Sequence, residues 1–182
     1  MNPWNLLDKY YPLGDPARGI LFAHSRAVAD KALVIAQRLS DDEEVVLPFI
    51  EEAALLHDIG IRFVHAPAIG CFGDLPYLAH GYKGRELLEA EGWPQHALVC
   101  ERHIGVGLSA AEILKQKLPL PVRDMIPETL EEQIITYADL FFSKGETNLH
   151  HEKEVEVVRR SVARYGAENL TVFDRWHERF SR

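Results

Sequence analysis

Hydrophobic and polar residues alternate at helical spacing along most of the chain. Between residues 20 and 39, the residues that share one face are His24, Val28, Ile35 and Leu39. Their steps of 4, 7 and 4 residues predict a helix with one buried side. The same reasoning predicts helices over residues 48–58, 80–91, 94–103, 130–142, 152–165 and 167–180. No segment shows the alternation typical of a half-buried strand, so the pattern predicts an all-α bundle of about six to eight helices.

Prolines, glycines and capping residues mark the segments between these helices. Residues 1–19 predict an irregular start, and residues 61–79 hold two prolines and two glycines that predict a long loop. Gly60 is placed to end the preceding helix. Ser109 and Thr129 each precede a glutamate by three residues, the capping-box spacing that opens a helix.

The apolar run that ends in His57 and Asp58 is the most informative stretch. If the run is helical, His57 continues the buried face of Ala53 and Ala54, and Asp58 is carried into the core beside it. Burying a charged carboxylate costs several kcal/mol unless something compensates for it. A bound cation would compensate, and so would a salt bridge within the pair. The pair alone leaves both interpretations open.

Other histidines and another aspartate are also predicted to face the core, and together they favour a bound cation over a salt bridge within the pair. The full set is His24, His57, Asp58, His80, His103 and Asp139. A single inward histidine is more often a core residue than a ligand, but these six come from five predicted helices. Converging side chains of that kind form the metal sites of helical bundles. Nitrogen and carboxylate ligands without thiolate suit iron, manganese, zinc, cobalt or nickel, and the sequence does not choose among these metals.

The order and spacing of these residues resemble the HD-domain superfamily of metal-dependent phosphohydrolases. That pattern is a histidine, a His-Asp pair and a distant aspartate, matched here by His24, His57–Asp58 and Asp139. The pair stands in the string His-Asp-Ile-Gly, and the likeness is closest to HDIG-related proteins of bacteria and archaea. The added His80 and His103 resemble the subgroup that holds two metal ions. The resemblance runs from about residue 21 to residue 144.

The resemblance implies an HD-like helical bundle with its metal site between the helices. A first divalent ion would be held by His24, His57, Asp58 and Asp139, and a second by His80 and His103. Asp58 would bridge the two ions and act as the catalytic residue. A hydroxide shared by the ions would then hydrolyse a phosphomonoester or a nucleotide-like phosphoanhydride.

Two other functions remain open at this point. A mixed-valent di-iron oxygenase of the myo-inositol oxygenase type uses the same six ligand types. A non-catalytic regulatory HD module is the third class, and it is disfavoured because every ligand position of the pattern is present.

Three cations are candidates for binding the substrate. Lys83 lies three residues after His80 on the same side of its predicted helix. Lys144 follows Asp139 and Arg62 follows the His-Asp pair, and both are more typical of surface positions. The loop over residues 61–79 joins two predicted ligands, so we expect its middle, Gly70 to Gly73, to overhang the site and shape substrate choice.

Composition limits the partners and the setting. With 28 acidic and 20 basic residues, the formal net charge of −8 argues against an extended nucleic-acid surface and favours a small phosphorylated substrate, for example a nucleotide. The two cysteines, Cys71 and Cys100, form no disulfide framework. No apolar run approaches a membrane span. We expect a cytoplasmic protein without a membrane partner, whose oligomeric state is left open.

A length of 182 residues favours one domain. We expect the motif-bearing core to occupy about residues 21–144 and the C-terminal helices to occupy residues 152–180.

Overall fold

The computed structural model of the protein describes residues 2–145 and 151–181. Within these ranges it contains nine α-helices: α1 (Pro3–Tyr10), α2 (Arg18–Leu39), α3 (Leu47–Leu56), α4 (His80–Ala90), α5 (Pro94–Arg102), α6 (Ala110–Gln116), α7 (Leu130–Asp139), α8 (Val155–Ala163) and α9 (Ala167–Phe180). The sheet consists of two short strands, β1 (His65–Ala66) and β2 (Cys71–Phe72), which pair antiparallel. The predicted all-α class is confirmed.

Three of the described helices begin where a side chain accepts a hydrogen bond from one of their first backbone amides. At α1, Asn2 accepts a hydrogen bond from the amide of Trp4 at 2.9 Å. The capping box predicted at Ser109 is present in full at α6. At α7, Thr129 caps the helix as predicted, but the Glu132 carboxylate accepts from the amide of Glu128 instead of the capping residue.

The structure corrects two boundaries. Helix α1 lies in the start that was expected to be irregular, which is why the described residues hold nine helices. Gly60 does not end α3, because that helix stops at Leu56 and residues 59–63 form a 3-10 turn. A methyl group at Gly60 would overlap the carbonyl oxygen of His80, so the glycine permits a close approach between the turn and α4.

The predicted loop over residues 61–79 has short regular pieces. Its 3-10 turns span Ile59–Phe63, Pro67–Ile69 and Tyr77–Ala79, with the β1–β2 pair between them. Gly70 approaches the backbone of Pro16, so the tip of the pair packs against the residues that precede α2. The last turn of the segment, rather than its middle, leads to the ligand-type residue His80.

One apolar core includes buried residues from every described helix except α6, whose Ile113 packs in a smaller cluster with Leu120 and Met125. Helix α2 packs on α3 and α7, and α4 packs on α5. At the C-terminal end, the ring of Phe173 stacks on Tyr137 with centroids 5.8 Å apart, which fixes α9 against α7. No helix in residues 2–145 or 151–181 is long and apolar enough to cross a membrane. The division of the whole chain into domains stays a prediction.

Candidate metal centre

Six ligand-type side chains from five helices or helix ends meet in the core. They are His24 in α2, His57 and Asp58 directly after α3, His80 at the start of α4, His103 directly after α5, and Asp139 at the end of α7. Five of the six residues are at most 3% exposed. Most of these six residues lie at helix ends, where a side chain can point into the bundle without interrupting the packed face of a helix.

The first lobe of the centre consists of His24, His57 and Asp139. His24 Nε2 lies 3.0 Å from Asp139 Oδ1 and 3.3 Å from His57 Nε2. Both imidazoles face the same oxygen of Asp58, since each Nε2 lies 3.1 Å from Oδ2. Together with Asp58, these residues form a group of four whose ligand atoms lie close enough to share one ion.

The second lobe consists of His80 and His103. Their Nε2 atoms are 3.2 Å apart, and each lies 3.5 Å from Asp58 Oδ1. These two residues and Asp58 form a second group able to hold an ion. Asp58 therefore presents one oxygen to each lobe, which is the arrangement expected of a bridging carboxylate.

Backbone carbonyls fix the orientation of three of the imidazoles. The Nδ1 atom of His57 lies 2.6 Å from the carbonyl of Ala54, and that of His103 lies 2.8 Å from the carbonyl of Cys100. His80 makes the same contact with the carbonyl three residues earlier, at 2.6 Å. A proton on Nδ1 leaves Nε2 with its lone pair free, so the local backbone prepares each ring to bind a cation.

The donor set fits divalent transition metals. Neither oxygen of the fully buried Asp58 accepts a well-aligned hydrogen bond within the described residues, although Lys144 Nζ lies 2.7 Å from Oδ2. Buried carboxylate oxygens are rarely left in this state unless a cation completes them. Ligand atoms about 2.1 Å from one ion are separated by roughly 3.0–3.4 Å from one another, close to the spacings found in both lobes.

The charges of the cluster are strongly coupled. Burial raises the pKa of the Asp58 carboxyl, but Lys144 and His57 outweigh burial and hold that pKa well below its usual range. Burial lowers the pKa of His57, yet Asp58 and Asp139 raise it to about 10. Burial lowers the pKa of His80 to about 3. His80 is therefore a neutral ring, the form that binds a metal ion, whereas His57 would have to release a proton to bind one.

The three predicted substrate cations lie in different places. Lys144 was expected to be at the surface, but its side chain is only 14% exposed and its ammonium contacts Asp58. The structure gives Lys83 an ion pair with Glu86 and Arg62 a hydrogen bond to the carbonyl of Tyr10 at 2.5 Å. Within the described residues, neither of these two contacts the six ligand-type side chains.

A buried carboxylate next to the second lobe was missed by the sequence reasoning. Glu101 is 1% exposed and forms ion pairs with Arg85 of α4 and with Arg123. It lies two residues before His103, so these pairs tie the end of α5 to α4. The sequence signal was a glutamate on the inward side of a helix, beside the apolar Val99 and Cys100.

A pocket of about 420 Å³ adjoins the cluster. Asp139 and Lys144 line the pocket where it meets the cluster, and Tyr77 and Leu78 are further lining residues. Tyr77 and Leu78 belong to the 61–79 segment, whereas Gly70 and Gly73 line a different pocket with Tyr11. The end of that segment, and not its middle, therefore borders the candidate site.

The fold and the cluster together define a helical protein with a buried His/Asp site suited to divalent metal. A family model described as HD domain matches residues 21–142, which is more than half of the chain. The chain belongs to the HD domain family. The match takes in the six ligand-type residues, and it ends before α8 and α9.

Curated relatives are longer proteins. A tRNA (cytidine(56)-2'-O)-methyltransferase of Thermoplasma volcanium is 30% identical over 165 residues, covering 90% of this chain and 43% of that protein. The uncharacterized protein MJ0778 of Methanocaldococcus jannaschii is 35% identical over 118 residues, covering 64% of this chain and 62% of that protein.

A further tRNA (cytidine(56)-2'-O)-methyltransferase, from Picrophilus torridus, is 33% identical over 106 residues, covering 58% of this chain and 27% of that protein. This chain thus spans less than two thirds of each of the three relatives. No solved structure matches the chain.

Proposed function

We propose that this chain is a metal-dependent phosphohydrolase of the HDIG subtype, which hydrolyses a phosphomonoester or a nucleotide-like phosphoanhydride. The observation that carries the proposal is the position of Asp58, whose two oxygens face different imidazole pairs. The proposed cofactor is a pair of divalent ions chosen from iron, manganese, zinc, cobalt and nickel.

When bound, such a pair supplies an activated water and neutralises phosphate oxygens. The protein's own residues would hold the two ions in place. His24, His57 and Asp139 would hold the first ion and His80 and His103 the second, with Asp58 bridging them and acting as the catalytic residue. The carbonyl contacts of the histidines support this division, because they fix the rings before any ion arrives.

Lys144 would be the cation that meets the substrate. Its burial lowers the pKa of its ammonium group, but Asp58 and Asp139 more than offset this and raise the pKa above its ordinary value. The group is therefore charged, and it lies where the pocket meets the ligand cluster. If the oxygens of Asp58 were taken up by an ion, the Lys144 ammonium would be free to pair with a phosphate oxygen. Lys83 and Arg62 stay weaker candidates because each is engaged elsewhere.

The alternatives differ in what they require next to the cluster. A di-iron oxygenase uses the same ligand types, but a buried lysine beside the ligands favours an anionic substrate. A regulatory module is disfavoured by the complete ligand set. We do not extend tRNA methylation to this chain, because it spans 43% and 27% of the two methyltransferases and its buried cluster is a metal-ligand set. The net charge of −8 also opposes a nucleic-acid surface.

The test combines three measurements on purified full-length protein loaded with Mn²⁺ or Fe²⁺. Phosphate release from a panel of phosphomonoesters and nucleotides should be metal-dependent and lost in Asp58→Asn. Oxygen consumption with iron present should be absent, and tRNA binding should be weak. His65→Gln is the matched control, since His65 is an exposed histidine outside the cluster. Oxygen consumption without phosphate release would replace the proposal with the oxygenase.

A further inference from the structure

The pocket beside the cluster is divided between two parts of the chain. Asp139 and its neighbours belong to the family-matched residues 21–142, whereas Val158, Ser161, Val162, Tyr165 and Asn169 lie beyond the match. Those five residues come from α8, α9 and the turn between them. This part of the pocket therefore lies outside the matched HD core.

The pocket lining is mainly apolar, with a few uncharged polar groups. Leu108, Val158 and Val162 contribute apolar surface. The exposed Ser161 and the half-buried Asn169 also line it and supply uncharged polar groups. Such a lining suits a ligand with an apolar or aromatic body and a small number of hydrogen-bonding groups. It is a poor match for a polyol, which would need a partner for each hydroxyl.

Positive charge in the described lining is concentrated beside the cluster. Lys153 lines the pocket, but its ammonium donates hydrogen bonds to the carbonyls of Leu140 at 3.1 Å and Phe142 at 2.9 Å. Burial lowers the pKa of Lys153. Lys144 is thus the described lysine of this lining that remains to meet a phosphate. A single phosphate group at the cluster fits this charge pattern better than a phosphate at each end.

The volume and the aromatic surface of the pocket further restrict the class of ligand. A volume of about 420 Å³ lies toward the lower part of the usual range for small-molecule pockets, roughly 300–1,000 Å³. Tyr165 is 69% exposed on the α8–α9 side, and its ring offers a face on which a planar group can stack.

We propose that α8 and α9 select the substrate, and that the substrate is a phosphate monoester of one uncharged aromatic body of nucleoside size. This inference rests on the proposed phosphohydrolase function for its chemistry, but it makes a separate claim about binding. Ser161 and Asn169 would be specificity-determining residues that hydrogen-bond to the body, and Tyr165 would stack on it.

The experiment compares wild type with a Ser161→Ala/Asn169→Ala double variant. Thr171→Ala is the matched control, because Thr171 is exposed on α9 and its hydroxyl bonds its own helix at the carbonyl of Ala167. The probes are adenosine monophosphate, glucose 6-phosphate and p-nitrophenyl phosphate. Calorimetric binding of adenosine monophosphate is measured beside phosphate release and metal content.

We expect wild type to hydrolyse adenosine monophosphate with at least about tenfold higher kcat/KM than glucose 6-phosphate. The double variant should lose about tenfold in kcat/KM for adenosine monophosphate, mainly through KM, with a matching loss in binding. Its metal content and its rate with p-nitrophenyl phosphate, which lacks the sugar and base of a nucleoside, should match wild type and Thr171→Ala.

The other outcomes separate the two proposals. Hydrolysis with equal preference for glucose 6-phosphate, or with unchanged selectivity in the double variant, would overturn the inference and leave the phosphohydrolase intact. Binding that weakens in the double variant without any phosphate release would support the inference and overturn the phosphohydrolase. Absence of both binding and release would overturn both.

Discussion

The two lobes of the candidate metal centre are assembled in different ways. The first lobe takes His24 from α2 and His57 from the end of α3, which follow one another in the chain, and Asp139 from the distant α7, which packs on both helices. The second lobe takes His80 and His103 from the adjacent helices α4 and α5. One lobe depends on the folding of the whole bundle, and the other depends on a local helical hairpin.

This difference indicates where each lobe can be weakened. In the hairpin of the second lobe, Glu101 of α5 pairs with Arg85 of α4, and the close approach at Gly60 packs α4 against the turn that follows Asp58. The first lobe has an ion pair between α2 and α3, Arg26 with Glu51, whose side chains are 36% and 45% exposed, and it relies mainly on packed apolar neighbours. Asp58 belongs to both lobes, so its loss should act on both at once.

The largest effect is expected at Asp58. The Asp58→Asn variant keeps the shape of the side chain but removes the charge that both lobes face. We expect phosphate release to fall by a factor of about 10³ or more, which corresponds to about 4 kcal/mol of transition-state stabilisation. Initial rates at saturating Mn²⁺ provide the measurement, with His65→Gln expected to behave as wild type. A residual rate above about a tenth of wild type would remove Asp58 from its catalytic role.

A second prediction separates the hairpin from the rest of the bundle. In Gly60→Ala the new methyl group meets the backbone at His80, which must move with the start of α4. We expect a loss of about 3 kcal/mol in the free energy of unfolding, or roughly 6–12 °C in Tm, and weaker binding of one of the two ions. Gly19→Ala is the control, since no atom lies near its added carbon. Equal Tm values for the two variants would contradict the close approach.

A third prediction concerns the cation shared by the pocket and the cluster. Replacing Lys144 by alanine should raise KM for a phosphomonoester by about 10–100-fold, as expected for the loss of one charged contact worth about 1.5–3 kcal/mol. Metal content should not fall, because the lysine is not a ligand. Lys115→Ala, at an exposed position of α6, provides the control, with an expected change within about twofold. Metal loss in Lys144→Ala, with unchanged KM, would assign the lysine a structural role.

The smallest effect is expected at the clamp of the second lobe. Glu101→Gln removes the charge that faces Arg85 and Arg123, whose side chains are 27% and 45% exposed. Because these arginines can reach water, we expect only about 1–2 kcal/mol of lost stability, together with about tenfold weaker binding of one ion. Denaturant unfolding and metal titration measure the two quantities. Glu89→Gln removes an exposed partner of Arg85 and should change neither.

Helical periodicity was sufficient to predict the class of the fold and the inward direction of the six ligand-type residues. His24 follows the spacing of a long amphipathic helix, and it is buried in α2. Helix α1 was not predicted because nearby prolines and glycines dominate the local pattern, whereas the cap at Asn2 and the packing of Leu7 stabilise it. The sequence predicted that Gly60 ends a helix. Its actual role, a close contact with the carbonyl of His80, cannot be read from the neighbouring residues.

The positions of the lysines show a second limit of structure prediction from the sequence. Spacing placed Lys83 beside His80, but rotation of a long side chain allowed it to pair with Glu86. Lys144 follows the end of a helix, a position that usually indicates solvent. Its burial arises from the return of the chain toward Asp58, and periodicity within one element carries no information about that return.

The central claim is that one aspartate joins two separate ion-binding lobes. The most direct test is the metal-to-protein ratio of purified wild type, His80→Ala and Asp58→Ala after saturation with Mn²⁺ and removal of free ions. The account predicts about two ions per chain in wild type, about one in His80→Ala and none in Asp58→Ala. Two ions in His80→Ala, or one ion in wild type, would contradict the bridged two-lobe centre.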